Sequence, residues 1–185
     1  MKIFHTVFTL ALLLILSPAH AQDGAIKIVP IKDNLHLLIN PNGGNITVST
    51  GEDGTFIIDD NLPGRSEAVN EAVKSINDRN IDFILNTHYH FDHTGGNEFF
   101  GNDGAVIMAH NNVRKRLSTD QFISYFKRDM KALDKAGLPV VTFSRDISLH
   151  YNGDDINIIY LPAAHTDGDS AAHFTKACLL VISKI

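Results

Sequence analysis

The stretch that decides the reading of this chain is NTHYHFDHTGG, residues 86–96. It places His88, His90, Asp92 and His93 close together, directly after the apolar run Phe83-Ile84-Leu85. A short apolar run reads as a buried strand, and a loop that follows a strand holds its side chains on a rigid scaffold. If strand geometry continues into the loop, His88 and His90 face the same way, because strand side chains alternate with a period of two. Two imidazoles on one side can share one metal ion. Asp92 and His93, in the turn beyond, can face a second ion beside the first. Neutral imidazole and carboxylate are the usual protein ligands of zinc, at about 2.0–2.2 Å. Gly95 and Gly96 then allow a tight backbone bend beneath the cluster. The competing reading is a histidine-rich solvated loop.

A second focus lies at LPAAHTDGDSAAHF, residues 161–174. An apolar strand from Ile156 to Leu161 ends at Pro162, and His165 follows in a polar loop with Thr166, Gly168 and Asp169. The layout repeats the first: strand, then histidine in a tight polar turn. His165 is the candidate third ligand of the first ion. His173 falls in a strand pattern and is expected to pack. His36, His110 and His150 lack ligand-type partners at useful spacing, and a structural or solvated role is expected for each.

Around these two loops the pattern is β-rich. Residues 25–31, 34–40, 45–50 and 54–60 alternate or run apolar, separated by the turns Asp33-Asn34 and Gly51-Glu52-Asp53-Gly54, as in an antiparallel meander. Ala68, Val69, Ala72, Val73 and Ile76 recur at helical spacing. A short helix near residues 95–101 and a strand over 105–110 follow. Residues 111–136 read as helical with a break near Ser118, stopped by Gly137-Leu138-Pro139. Strands return at 140–143, 146–151 and 155–161. This order implies an α+β or layered α/β domain, sheets with helices packed outside.

The first 21 residues stand apart. Lys2, an apolar run from Val7 to Leu16, Pro18, and the small pair Ala19 and Ala21 have the form of a secretory signal cleaved after Ala21. The run is shorter than the roughly 20 residues a membrane span needs. Export to a periplasm or beyond is the expectation, with residues 22–185 as one domain. A chain of that size buries about 70% of its unfolded surface, enough for a true core. The formal charge is −5 with no basic run, which argues against a nucleic-acid partner and for a small-molecule substrate. The lone Cys178 has no internal disulfide partner and sits in an apolar run, so a buried, inert thiol is expected.

The two loops together resemble the metallo-β-lactamase superfamily of zinc hydrolases: THYHFDHTGGN, then LPAAHTDGDSAAHF, in that order, behind a β-rich start ending in FIIDD at Asp60. The resemblance implies an αβ/βα sandwich with the active site along one edge between two mixed sheets. It implies that His88, His90 and His165 hold a first zinc and that Asp92 and His93 are two ligands of a second. It also implies that Asp92 acts in catalysis and that Asp59 supports the site from behind; the competing reading of Asp59 is a plain turn starter in DDNLPG. The family's next motif is an aspartate bridging both metals, often in TGD, followed much later by a histidine. Here the chain reads HFTKACLLVISKI and stops. The expectation is therefore a partial sandwich lacking much of its C-terminal half, from a truncated gene, a frameshift or a fragmentary sequence, with one tight zinc, an incomplete second position and impaired activity. Uncovered sheet edges would then favour self-association. Two other readings stay open: a non-catalytic zinc-binding remnant, and a metal-carrying envelope protein.

Overall fold

The central strands of this chain are apolar on both faces, so each needs a packing layer on either side. Phe56 and Ile58 point one way and Ile57, between them, points the other; all three are fully buried. The computed structural model describes residues 24–182, so the expected signal segment lies outside the described residues. Strands β1 (Lys27–Lys32), β2 (Leu35–Ile39), β3 (Ile46–Thr50) and β4 (Thr55–Ile58) pair antiparallel in chain order, the meander expected. Helix α1 (Ser66–Ile76) then crosses over, and β5 (Phe83–Leu85), β6 (Val106–His110) and β9 (Val141–Phe143) extend the sheet in parallel. The result is a seven-stranded sheet in the order β1-β2-β3-β4-β5-β6-β9.

The second sheet is an antiparallel run of four: β10 (Ile147–Tyr151), β11 (Asp154–Leu161), β12 (Asp169–Phe174) and β13 (Leu179–Val181). Between the sheets, Phe56, Ile58, Leu85 and Met108 meet Tyr151, Ile156, Ile158, Ala172 and Phe174. Behind the large sheet, Ile57, Ile84 and Ile107 meet Val69 and Val73 of α1 and Phe100. Each large side chain buried in these layers stabilises the fold by roughly 1.5–3 kcal/mol. The architecture is the layered α/β arrangement anticipated: helices, a large mixed sheet, a small antiparallel sheet.

Three short helices frame the site: α2 (Phe91–Thr94), α3 (Asn97–Asn102) and α4 (Asn111–Leu117). Here the sequence reading needs correction. Residues 111–136 are not one broken helix. After α4 the chain forms a hairpin, β7 (Gln121–Ile123) with β8 (Arg128–Met130), then a 3-10 turn at Lys135–Gly137. The hairpin is closed at its base by Asp120, whose carboxylate accepts from the Ala132 amide at 3.0 Å and from Lys131 Nζ at 2.6 Å. Ile123 and Met130 face inward against Val113 and Leu117, while Phe122 points out. Their spacing of seven suits two helical turns as well as a hairpin, so periodicity could not separate the two.

Cys178 is the second correction. It is exposed, not buried. The apolar run is split by the β12–β13 turn, where Cys178 takes the left-handed conformation at φ 54° and its amide bonds Thr175 O.

Candidate metal centre

Strand β5 ends at Leu85, and residues 87–89 are bends rather than strand. His88 and His90 therefore converge through the loop's folding and not by strand alternation. The Nε2 atom of His88 lies 3.2 Å from Nδ1 of His90, and Nε2 of His165 lies 3.1 Å from the same Nδ1. All three ligand atoms fall within 4.8 Å of one another. Bonds of about 2.0–2.1 Å to a tetrahedral ion put ligand nitrogens about 3.3 Å apart, so the set fits a zinc-sized ion. His88 and His90 are buried, whereas His165 is exposed.

The hydrogen bonds behind the rings decide which nitrogen is free. Asp59 is buried, with φ 62°, and its amide bonds Leu85 O. Its carboxylate accepts from the Thr87 amide at 2.7 Å and from the Thr87 hydroxyl at 2.8 Å. The hydroxyl has given its only proton to Asp59, so it accepts from Nδ1–H of His88 at 3.1 Å. That leaves the His88 Nε2 lone pair facing the other rings. Asp59 also accepts from Nδ1 of His93 at 2.7 Å, which turns Nε2 of His93 toward Asp92 Oδ2 at 3.3 Å. Asp59 is thus no mere turn starter.

The charges are strongly shaped. Burial, then the neighbouring His93, lowers His88 to about 2. Burial, then His165, lowers His90 to about 4. Both are neutral imidazoles at pH 7, the form that binds metal. For His93, burial pulls downward, but Asp59 and Asp92 outweigh it and push the ring up to about 10. For Asp92, burial pulls upward, but bonding to His93 outweighs it and holds the carboxyl at about 2. Asp92 and His93 form an acidic–basic pair beside the three-histidine cluster.

Two features around the cluster were not anticipated, the buried Asp60 and the hairpin tip. The glycines are there for close approach, since neither has positive φ. A Cβ on Gly95 would collide with the Leu62–Pro63 backbone, and one on Gly96 would lie 2.9 Å from Asp60 O. Asp60 accepts from the Gly96 amide at 2.8 Å and its own amide bonds His93 O at 3.1 Å. Burial raises its carboxyl well above the usual carboxylate range. The hairpin tip is the other. Phe126, 47% exposed, has its ring 6.3 Å from that of His90 and 5.6 Å from Phe91, while Arg128 sits 4.0 Å over Phe91.

The other histidines among the described residues lie outside the cluster. His110 is buried at the start of α4, accepts from the Asn112 amide through Nδ1 at 3.2 Å, and stacks on Tyr160 with centroids 3.9 Å apart. His150 is exposed and pairs with Asp155. His173 lies on β12 opposite Asn157 and Leu180, and His36 on β2 opposite Pro30 and Val48.

The two-sheet sandwich brings histidines from two separate loops into one group that could hold a metal ion. The sequence profile of the metallo-beta-lactamase superfamily matches residues 39–173, and the chain belongs to that family. Solved structures agree in fold. The subclass B3 enzyme BJP-1 of Bradyrhizobium japonicum superposes with a TM-score of 0.69 at 17% identity, covering 82% of this chain and 58% of that one. A Cronobacter sakazakii metallo-beta-lactamase gives 0.71 at 15% identity, covering 84% and 61%. A beta-lactamase from Chitinophaga pinensis gives 0.65 at 21%, covering 89% and 62%. This chain spans about three-fifths of the length of these structures.

Proposed function

We propose that this chain carries the first-metal half of a zinc-dependent hydrolase site, acting on a carbonyl or ester-like bond of a small exported or imported molecule. The observation that carries the reading is the convergence of the His88, His90 and His165 ring nitrogens at 3.1–3.2 Å. A zinc ion held there supplies a Lewis acid that makes water acidic near pH 7 and polarises a substrate oxygen. His88, His90 and His165 would hold it and leave a fourth position open. Asp92 remains ionised across the neutral range. Its carboxylate would orient water, accept its proton and return that proton to a leaving group. His93, cationic without metal, neutralises charge beside it and would expose Nε2 to a second ion once deprotonated.

Asp92 and His93 would be the ligands of a second ion among the described residues, and the first ion would be the tighter of the two. β-Lactams are first candidates because the similar solved structures bear that name; lactones, thioesters and phosphoesters use the same chemistry. The alternative reading is a chain that binds zinc without turnover. Periplasmic or secreted location is part of this proposal and rests on residues 1–21. Among the described residues no helix is long and apolar enough to cross a membrane.

The test is metal analysis of the purified chain, followed by a panel of chromogenic β-lactam, lactone, thioester and phosphodiester substrates. One zinc per chain, lost in His88→Ala, with chelator-sensitive turnover, supports the hydrolase. Zinc without turnover selects the non-catalytic alternative. No transition metal sinks both.

A further inference from the structure

His88 and His90 are fixed by burial, but His165 is not. It belongs to an exposed stretch, residues 162–165, in which Ala163 has φ 53°. A ligand on such a loop must be ordered before it binds, and that entropy cost subtracts from metal affinity. The structure shows what orders it. Two residues beyond His165, Asp167 is gripped from three directions. Its carbonyl accepts from Asn112 Nδ2 at 2.6 Å and from the Tyr160 hydroxyl at 3.2 Å. Its carboxylate meets the Arg116 fork, Nη2 to Oδ2 at 2.9 Å and Nε to Oδ1 at 3.4 Å. Asn112 and Arg116 lie four residues apart on α4, so one helix face presents both.

The grip is itself braced. His110 caps the start of α4 and stacks on Tyr160, so helix and strand β11 are locked where they hold Asp167. Gly168 lies against α4, and a Cβ there would come within 2.9 Å of Val113 Cγ2. The far end of the loop is tied by Thr166 to Asp169 and by the Ser170 amide to Thr87 O at 2.9 Å. The Arg116–Asp167 pair is part-exposed, and alone such a pair is worth little. Here it acts with two bonds to one carbonyl.

We infer that Asn112, Arg116 and Tyr160 are positioning residues for the first metal site, acting through Asp167 to hold His165 against His88 and His90. This rests on the zinc reading above. Neighbours that orient a metal ligand commonly change affinity about 10–100-fold when removed.

The experiment is zinc affinity by chelator competition on the full chain. The double variant Asn112→Ala/Arg116→Ala should weaken binding about tenfold. In a His165→Ala background the same pair should change affinity by less than about twofold, because the ligand it positions is gone. Arg116→Lys, which keeps a cation opposite Asp167, should recover part of the loss. Equal losses with and without His165 would overturn the inference, since the clamp would then serve only the fold. If the double variant does not fold, Tyr160→Phe decides: it keeps the ring stack and deletes one hydroxyl, and unchanged affinity overturns the inference. Failure of the unmodified chain to bind zinc would instead overturn the reading beneath it.

Discussion

Asp59 Oδ2 and His93 Nδ1 lie 2.7 Å apart, joining the end of β4 to the helix that follows the histidine loop. The same carboxylate holds Thr87, and through Thr87 the ring of His88. One side chain therefore aims two candidate ligands. Asp59→Asn offers one acceptor oxygen where the carboxylate offered two. It should cost about 10–100-fold in zinc affinity, measured by chelator competition. An unchanged affinity would mean that the tautomers are set elsewhere.

The metal-free chain should show a stability maximum near pH 6.5. His88 and His90 are lowered to about 2 and about 4 when folded, from about 6.5 unfolded. Their contribution is present above pH 6.5 and is lost as pH falls from there, down to about 4 for His90 and about 2 for His88, because the unfolded chain takes up protons first. His93 is raised to about 10, so its contribution is present below pH 6.5 and is lost as pH rises through 10. Urea midpoints across pH 4–10 check this. His93→Gln should flatten the alkaline limb, and a midpoint still climbing between pH 7 and 9 would contradict it.

Loading of a second zinc should require release of the His93 proton. Its affinity should rise about tenfold per pH unit up to about pH 10, while the first ion holds steady from pH 6 upward. Two-step calorimetric titrations at pH 7 and pH 9 read the difference.

Gly95→Ala and Gly96→Ala should destabilise the chain by about 1–3 kcal/mol each through overpacking against fixed backbone. Gly104→Ala has open space around it and meets only the strain of φ +100°, about 1–2 kcal/mol. Thermal unfolding of the three variants should rank Gly104→Ala as mildest.

Phe126→Ser removes the apolar surface beside His90 without replacing a candidate ligand. With an apolar substrate, KM should rise severalfold and kcat stay within about twofold, the pattern of lost uniform binding. A fall in kcat alone would place Phe126 in a different role.

Much of the site was legible because ligand residues lie close in sequence at two places. The strand-then-histidine layout could be read twice, and the three-histidine group lies where those loops meet. Beyond Asp59, expected from the family resemblance, the contacts behind the site were not legible. Asp60, Asn112, Arg116, Tyr160 and Asp167 act through contacts between residues up to 55 apart, and no local spacing marks them. The hairpin was hidden because Ile123 and Met130 satisfy two periodicities at once. The Cys178 thiol was misplaced because a turn inside an apolar run carries no glycine or proline to announce it.

His88 and His90 hang from the large sheet, and His165 hangs from the small one. An ion bound among them would be a rivet through both leaves of the sandwich. Hydrogen exchange in β10–β13 should slow when zinc is added, by an amount set by ion concentration over dissociation constant. Pulled apart along that seam, the loaded chain should resist more force than the empty one, although no apolar contact between its leaves has changed.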